Sequence, residues 1–122
     1  MTFTIEGTLG NLNDYIREIN RNRHKGNTLK KENQAICKMY ILKQLRGVHI
    51  DIPVRLHFRW YEATKRRDLD NISSFGRKVI QDALVECGVL KNDGWNHITG
   101  FTDSFFIDKN RPRIEIDIEV TK

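Results

Sequence analysis

Hydrophobic and polar positions alternate in some stretches of this chain and recur at helical spacing in others. In FTIEGTL, Phe3 and Ile5 oppose Thr4 and Glu6, which predicts a strand ending near Gly7 to Gly10. In PVRLHFRWY, Val54, Leu56, Phe58 and Trp60 face one way, and Arg55, His57, Arg59 and Tyr61 face the other. Two further strands are predicted near the end, HITGFTDSFFI and RIEIDIEV, joined by a DKNRP turn. The second of these points Ile114, Ile116, Ile118 and Val120 inward.

Between the strands the period changes. Leu12, Tyr15, Ile16 and Ile19 stand at i, i+3, i+4 and i+7, with Asn11 as a plausible N-cap. That helix ends in NRNRHKGN, where Gly26 and Asn27 predict a break. A second helix is predicted from about Thr28 to Arg46, with Ala35, Ile36, Met39, Tyr40, Leu42 and Leu45 inward. A third is predicted from about Asn71 to Cys87, with Gly88 just past its end. Its apolar face carries Ile72, Phe75, Val79, Ile80, Ala83 and Cys87. The order is β-α-α-β-α-β-β, an α/β (α+β) fold with a mixed sheet packed with helices. One compact domain over residues 1–122 is expected, without internal repeats.

Composition narrows the class. Hydrophobic residues are 39% and charged residues 30%, which suits a folded water-soluble domain. No apolar run reaches the length of a bilayer span, so no membrane partner is expected. The opening MTFTIEGTLG has no basic segment followed by a long apolar one, so a cytoplasmic location is expected. Lys and Arg number 21 against 16 Asp and Glu, and the net charge is +5, which favours polyanion partners. Cys37 and Cys87 have no Cys or His at metal-ligand spacing and read as reduced thiols.

One stretch concentrates chemistry: KRRDLDNISSFGRKVIQDAL, residues 65 to 84. Three cations, Lys65, Arg66 and Arg67, precede two carboxylates, Asp68 and Asp70. On an extended segment the two carboxylates point to the same side and can reach one hard cation such as Mg²⁺. The cations then gather phosphates. The same two aspartates also suit a helix N-terminus, where a carboxylate satisfies open N–H groups. On the helix that follows, Asn71, Lys78 and Asp82 fall within about 40° of one another at a border of the apolar face. Asn71 and Asp82 are candidates to support such a site, and Lys78 to contact phosphate or developing negative charge. Asp93 offers a third carboxylate if the LKNDGW loop folds back over the helix N-terminus. Lys25, Lys30 and Lys31, around the Gly26–Asn27 break, are candidates to clamp DNA backbone from a loop. Arg55, His57 and Arg59 either track phosphates or keep a sheet face soluble. Trp60 and Trp95 read as packing or interface residues rather than base-stacking platforms, and His97 as structural rather than an aid to a metal.

RRDLDN, the K-x-x-x-DAL run at Lys78 to Leu84, Gly88 and Asp93 together resemble the RusA family of Holliday junction resolvases. The resemblance implies a small endonuclease that cuts four-way DNA junctions with paired symmetric nicks, as a homodimer, using Mg²⁺ or Mn²⁺. It implies Asp68, Asp70 and Asp93 as the metal-binding carboxylates and Lys78 as the essential lysine. The step from Asp70 to Lys78 is four residues longer than in the best-known member. That is about one helical turn, so Lys78 keeps its face and moves about 6 Å along the axis. The dimer contact is expected around Trp95, Phe101, Phe105 and Phe106. The competing readings are a non-catalytic nucleic-acid-binding protein, whose aspartates only cap a helix, and a nucleotide-sugar enzyme built on Asp-x-Asp. The chain is short for the latter and carries no nucleotide-binding fingerprint.

Overall fold

The alternating stretches form a mixed sheet, and the periodic ones form helices. The computed structural model describes residues 1–10 and 12–121, with the backbone alone for Leu12 and Asn13. Asn11, the expected N-cap, lies outside the described residues. The elements are β1 (Thr2–Glu6), α1 (Leu12–Arg21), α2 (Arg23–Gln44), β2 (Val54–Glu62), α3 (Leu69–Glu86), β3 (Ile98–Ile107) and β4 (Arg113–Val120). This is the predicted order. The sheet runs β1-β4-β2-β3. β4 is antiparallel to β1 and β2, while β2 and β3 are parallel. Parallel neighbours need a crossover, and α3 supplies it.

The inward positions meet in one core. Phe3, Ile5, Val54, Leu56, Phe58, Trp60, Ile114, Ile116 and Ile118 are buried against Ile72, Phe75, Val79, Ile80 and Ala83 of α3. Cys87 packs at the edge of that core. Both cysteines are free thiols, and burial pushes the Cys37 thiol up to about 12. Val120, expected inward, is 45% exposed at the end of β4. Gly88 adopts φ +76°, the left-handed conformation that ends a helix cheaply only at glycine. Among the described residues no helix is long and apolar enough to cross a membrane.

α2 departs from expectation twice. It begins at Arg23 and is capped by Asn22, whose side-chain oxygen accepts the His24 N–H at 2.9 Å. The helix therefore runs straight through Gly26 and Asn27. Gly26 serves close packing instead: a Cβ there would stand 2.2 Å from Ile19 Cγ1 of α1. The buried face is also different. Cys37, Ile41 and Leu45 go inward, whereas Ile36, Met39 and Leu42 are 41%, 56% and 49% exposed. α2 is apolar on two sides, so periodicity alone does not choose between them.

The basic face expected on β2 is neutralised by its neighbour. Arg55, His57 and Arg59 lie in register with Glu119, Asp117 and Glu115 of β4. Arg59 Nε donates to Glu115 at 3.0 Å and Arg113 Nε donates to it at 2.8 Å, while His57 Nε2 lies 3.3 Å from Glu119. The Arg113 hydrogen bond, helped by Arg59, holds the Glu115 carboxyl below the usual range. This face is a cross-strand ladder of opposite charges, the second of its two predicted roles.

Candidate active site

α3 starts at Leu69, two residues earlier than expected, and this sets the geometry of the acidic pair. Asp68 is the N-cap and Asp70 sits in the first turn. The turn between them swings the side chains apart, so the extended i, i+2 arrangement does not occur. Both residues are exposed. Asp68 makes no side-chain capping bond, and neither carboxylate has an ion pair among the described residues. Two carboxylates thus stand unengaged at the N-terminal, positive end of a helix dipole.

The neighbouring cations divide. Lys65 and Arg66 are exposed. Arg67 is committed to the fold: Nε and Nη2 donate to both Glu62 oxygens at 2.9 Å, and Nη1 donates to the Leu9 carbonyl at 2.7 Å. It ties the end of β2 to the chain after β1 and to the start of α3. A cleft of about 440 Å³ opens beside it, between Lys65, Asp68 and Leu69 on one side and Phe105, Phe106 and Ile107 of β3 on the other.

A second charged group, at Lys78 and Asp82, lies about 12–18 Å along α3 from Asp70. Lys78 Nζ is 3.1 Å from Asp93 and 3.2 Å from Asp82, and Lys30 of α2 is 3.3 Å from Asp82. Hydrogen bonding to Asp93, then to Asp82, holds the Lys78 ammonium above the usual lysine range. Asn71 is half-buried in the first turn of α3, away from this group. Lys25 and Lys31 are exposed, but they stand on α2 and not on a loop.

Asp93 does not reach Asp68 and Asp70. The crossover returns the chain to the start of β3, so the loop 91–97 lies at the C-terminal half of α3, not over its N-terminus. Among the described residues no group of three or more His, Cys, Asp or Glu can hold a metal ion. In one chain Asp93 therefore does not join Asp68 and Asp70 in the three-carboxylate group that the resemblance implies. His97 does not complete such a group either; its Nδ1 is buried without a hydrogen-bond partner among the described residues.

Two residues stand out only in three dimensions. Asp103 accepts the Trp60 indole N–H at 2.9 Å and pairs with Arg77, whose guanidinium lies 5.5 Å from the centre of the Phe101 ring. In the sequence it is only an acid within the HITGFTDSFFI strand; its pairing opposite Phe58 is visible in the sheet register alone. Trp95, expected to pack or to lie in an interface, is 94% exposed, so it does not pack in its own chain, while Trp60 does at 1%.

The family model for endodeoxyribonuclease RusA matches residues 12–119 of the 122. The chain belongs to the RusA family. No curated protein matches it. The RusA match begins with α1 and runs almost to the end of β4, so it contains both charged ends of α3 and the loop that carries Asp93. RusA is an endodeoxyribonuclease family, which makes this chain a nuclease of DNA by kinship.

Proposed function

We propose that the protein is a Holliday junction resolvase, an Mg²⁺-dependent endodeoxyribonuclease that makes paired symmetric nicks in four-way DNA junctions during recombination and repair. The RusA match over residues 12–119 carries the reading. The unengaged Asp68 and Asp70 support it, because residues that served only as helix caps would hold the first N–H groups of α3. Exposed Lys65 and Arg66 can attract the phosphate backbone to that end, and Lys25 and Lys31 can do so from α2. Lys78 is the candidate to meet negative charge on the reacting phosphate.

The acting form in this reading is a homodimer. A four-way junction presents two equivalent strands, and a two-fold dimer presents two equivalent sites to them. In one chain Asp93 lies by Lys78, along α3 from Asp68 and Asp70, so a site using all three carboxylates would draw them from more than one chain. Apolar surface that a second copy can cover is present on the β3 edge, where Phe101, Phe106 and Ile107 are 44%, 43% and 49% exposed.

The test is an end-labelled four-way junction incubated with the protein, with and without Mg²⁺, beside a linear duplex of the same sequence. Symmetric nicks in the junction alone, dependent on Mg²⁺, are expected. Tight junction binding without nicks under any divalent metal refutes the enzyme reading in favour of a binding protein.

A further inference from the structure

Trp95 is the most exposed large hydrophobic side chain among the described residues. Its loop is nevertheless well held. Asn92 Oδ1 accepts the Gly94 N–H at 2.9 Å, and the Gly94 carbonyl accepts the N–H groups of His97 and Ile98 at 2.9 and 3.0 Å. The His97 carbonyl in turn accepts the Val54 N–H at 2.9 Å, anchoring the loop to β2. A bonded turn thus presents an indole to solvent, where it packs on nothing in its own chain.

The surroundings say what kind of partner suits it. Lys91, Asn92, Gly94 and Asn96 are all exposed, so the indole stands alone in a polar rim. A protein interface needs a core of several apolar residues, and none accompanies Trp95 here. Two residues away, Asp93 meets Lys78, which also pairs with Asp82, and Lys91 of the same loop is an exposed cation. Cations that follow a backbone, beside an aromatic platform, are how proteins hold unstacked nucleotides.

We infer that Trp95 stacks on a nucleobase at the branch point of the DNA substrate and contributes to the choice of branched over linear DNA. The inference rests on the nuclease reading and adds a contact to it. An indole needs an uncovered base face. In a continuous duplex both faces of each internal base are covered by neighbours, whereas a branch point interrupts the stack.

Tryptophan emission tests this directly, since Trp60 is buried and Trp95 is the exposed emitter. The full chain in EDTA, which prevents cleavage, is titrated with a four-way junction and with a linear duplex, with gel shifts run in parallel. Quenching of the solvent-exposed emission by the junction, and much less by the duplex, is expected. Trp95→Ala should bind the junction roughly 5- to 100-fold more weakly, the usual worth of one stacked base. Trp95→Phe should recover most of that loss, and duplex binding should be unchanged in both. Trp95→Ala should also melt like the parent, because the side chain has no packing to lose. Junction binding without quenching, or an alanine variant that binds as tightly as the parent, overturns the inference and leaves the nuclease reading intact. Emission that shifts with protein concentration in the absence of DNA assigns the indole to a second copy and also overturns it. Failure of the parent protein to bind the junction at all overturns both.

Discussion

Gly76 has no side chain because Trp60 needs its space. A Cβ at that point of α3 would stand 2.7 Å from two atoms of the Trp60 ring, which is stacked on Phe58 and held by Asp103. Gly76→Ala gains helix propensity but overpacks the core, and a net loss of about 1–2 kcal/mol is expected in chemical denaturation. Arg67 and Arg66 make a sharper pair. Arg67→Ala strands the buried Glu62 carboxylate and should cost about 3 kcal/mol or more of stability. Arg66→Ala should leave the melting curve unchanged and weaken junction binding. If both variants melt like the parent, the Arg67–Glu62 clamp has been misjudged. At the proposed site, Asp70→Asn removes negative charge, so junction binding should persist while nicking disappears; gel shift and nicking assay together check it. Lys78→Ala should lower turnover roughly 100-fold with little change in affinity, the pattern of a group that acts in the transition state. Full activity in that variant moves the role to Lys65 or Arg66.

Among the elements, β2 and β4 were legible because strict alternation leaves one possible buried face, and their inward residues are those of the core apart from Val120. α2 was less legible. Ile36, Met39 and Leu42 carry as strong an apolar signal as Cys37, Ile41 and Leu45, and only the tertiary packing decides between them. Its start was misplaced because glycine marks both breaks and close approaches, and Gly26 is the second kind. The start of α3 mattered most for the site: two residues of extra helix turned Asp68 and Asp70 apart. The position of Asp93 was not readable at all, because it depends on which end of α3 the crossover returns to. The pairing of β2 with β4 has its own consequence for pH. Glu115 is held below its ordinary value of 4.5 chiefly by Arg113, so it contributes stability above pH 4.5 that is lost as pH falls through its lower folded value. Thermal unfolding followed from pH 6 to pH 2.5 should show this loss, and Glu115→Gln should flatten it; an unchanged acid limb refutes the ladder's role.

At the scale of the whole molecule, the charged ladder and the helices occupy separate sides of one sheet, and the two charged groups on α3, at Asp70 and at Lys78 and Asp82, lie about 12–18 Å apart along its axis. This division explains why the family assignment was legible while the assembled centre was not. The motif residues are local runs of sequence, whereas their meeting depends on the crossover and on the number of chains. Light scattering at working concentration should give twice the monomer mass. Ile107→Lys on the β3 edge should reduce the mass and the paired nicks together. A monomer that still makes paired nicks defeats the dimer.

The sheet order also has a kinetic meaning. β4, which follows the other three strands in the chain, lies between β1 and β2, so a central strand is made after its neighbours. β1 has no ladder partner until the ribosome has added residues 113–117, which pair with residues 6–2. Until then the edges of β1 and β2 that β4 fills have no ladder partner there. Long-range closure of this kind is slow. The nascent chain is therefore most prone to aggregate before β4 is made, and loss of β4 would remove the middle of the sheet rather than trim its edge.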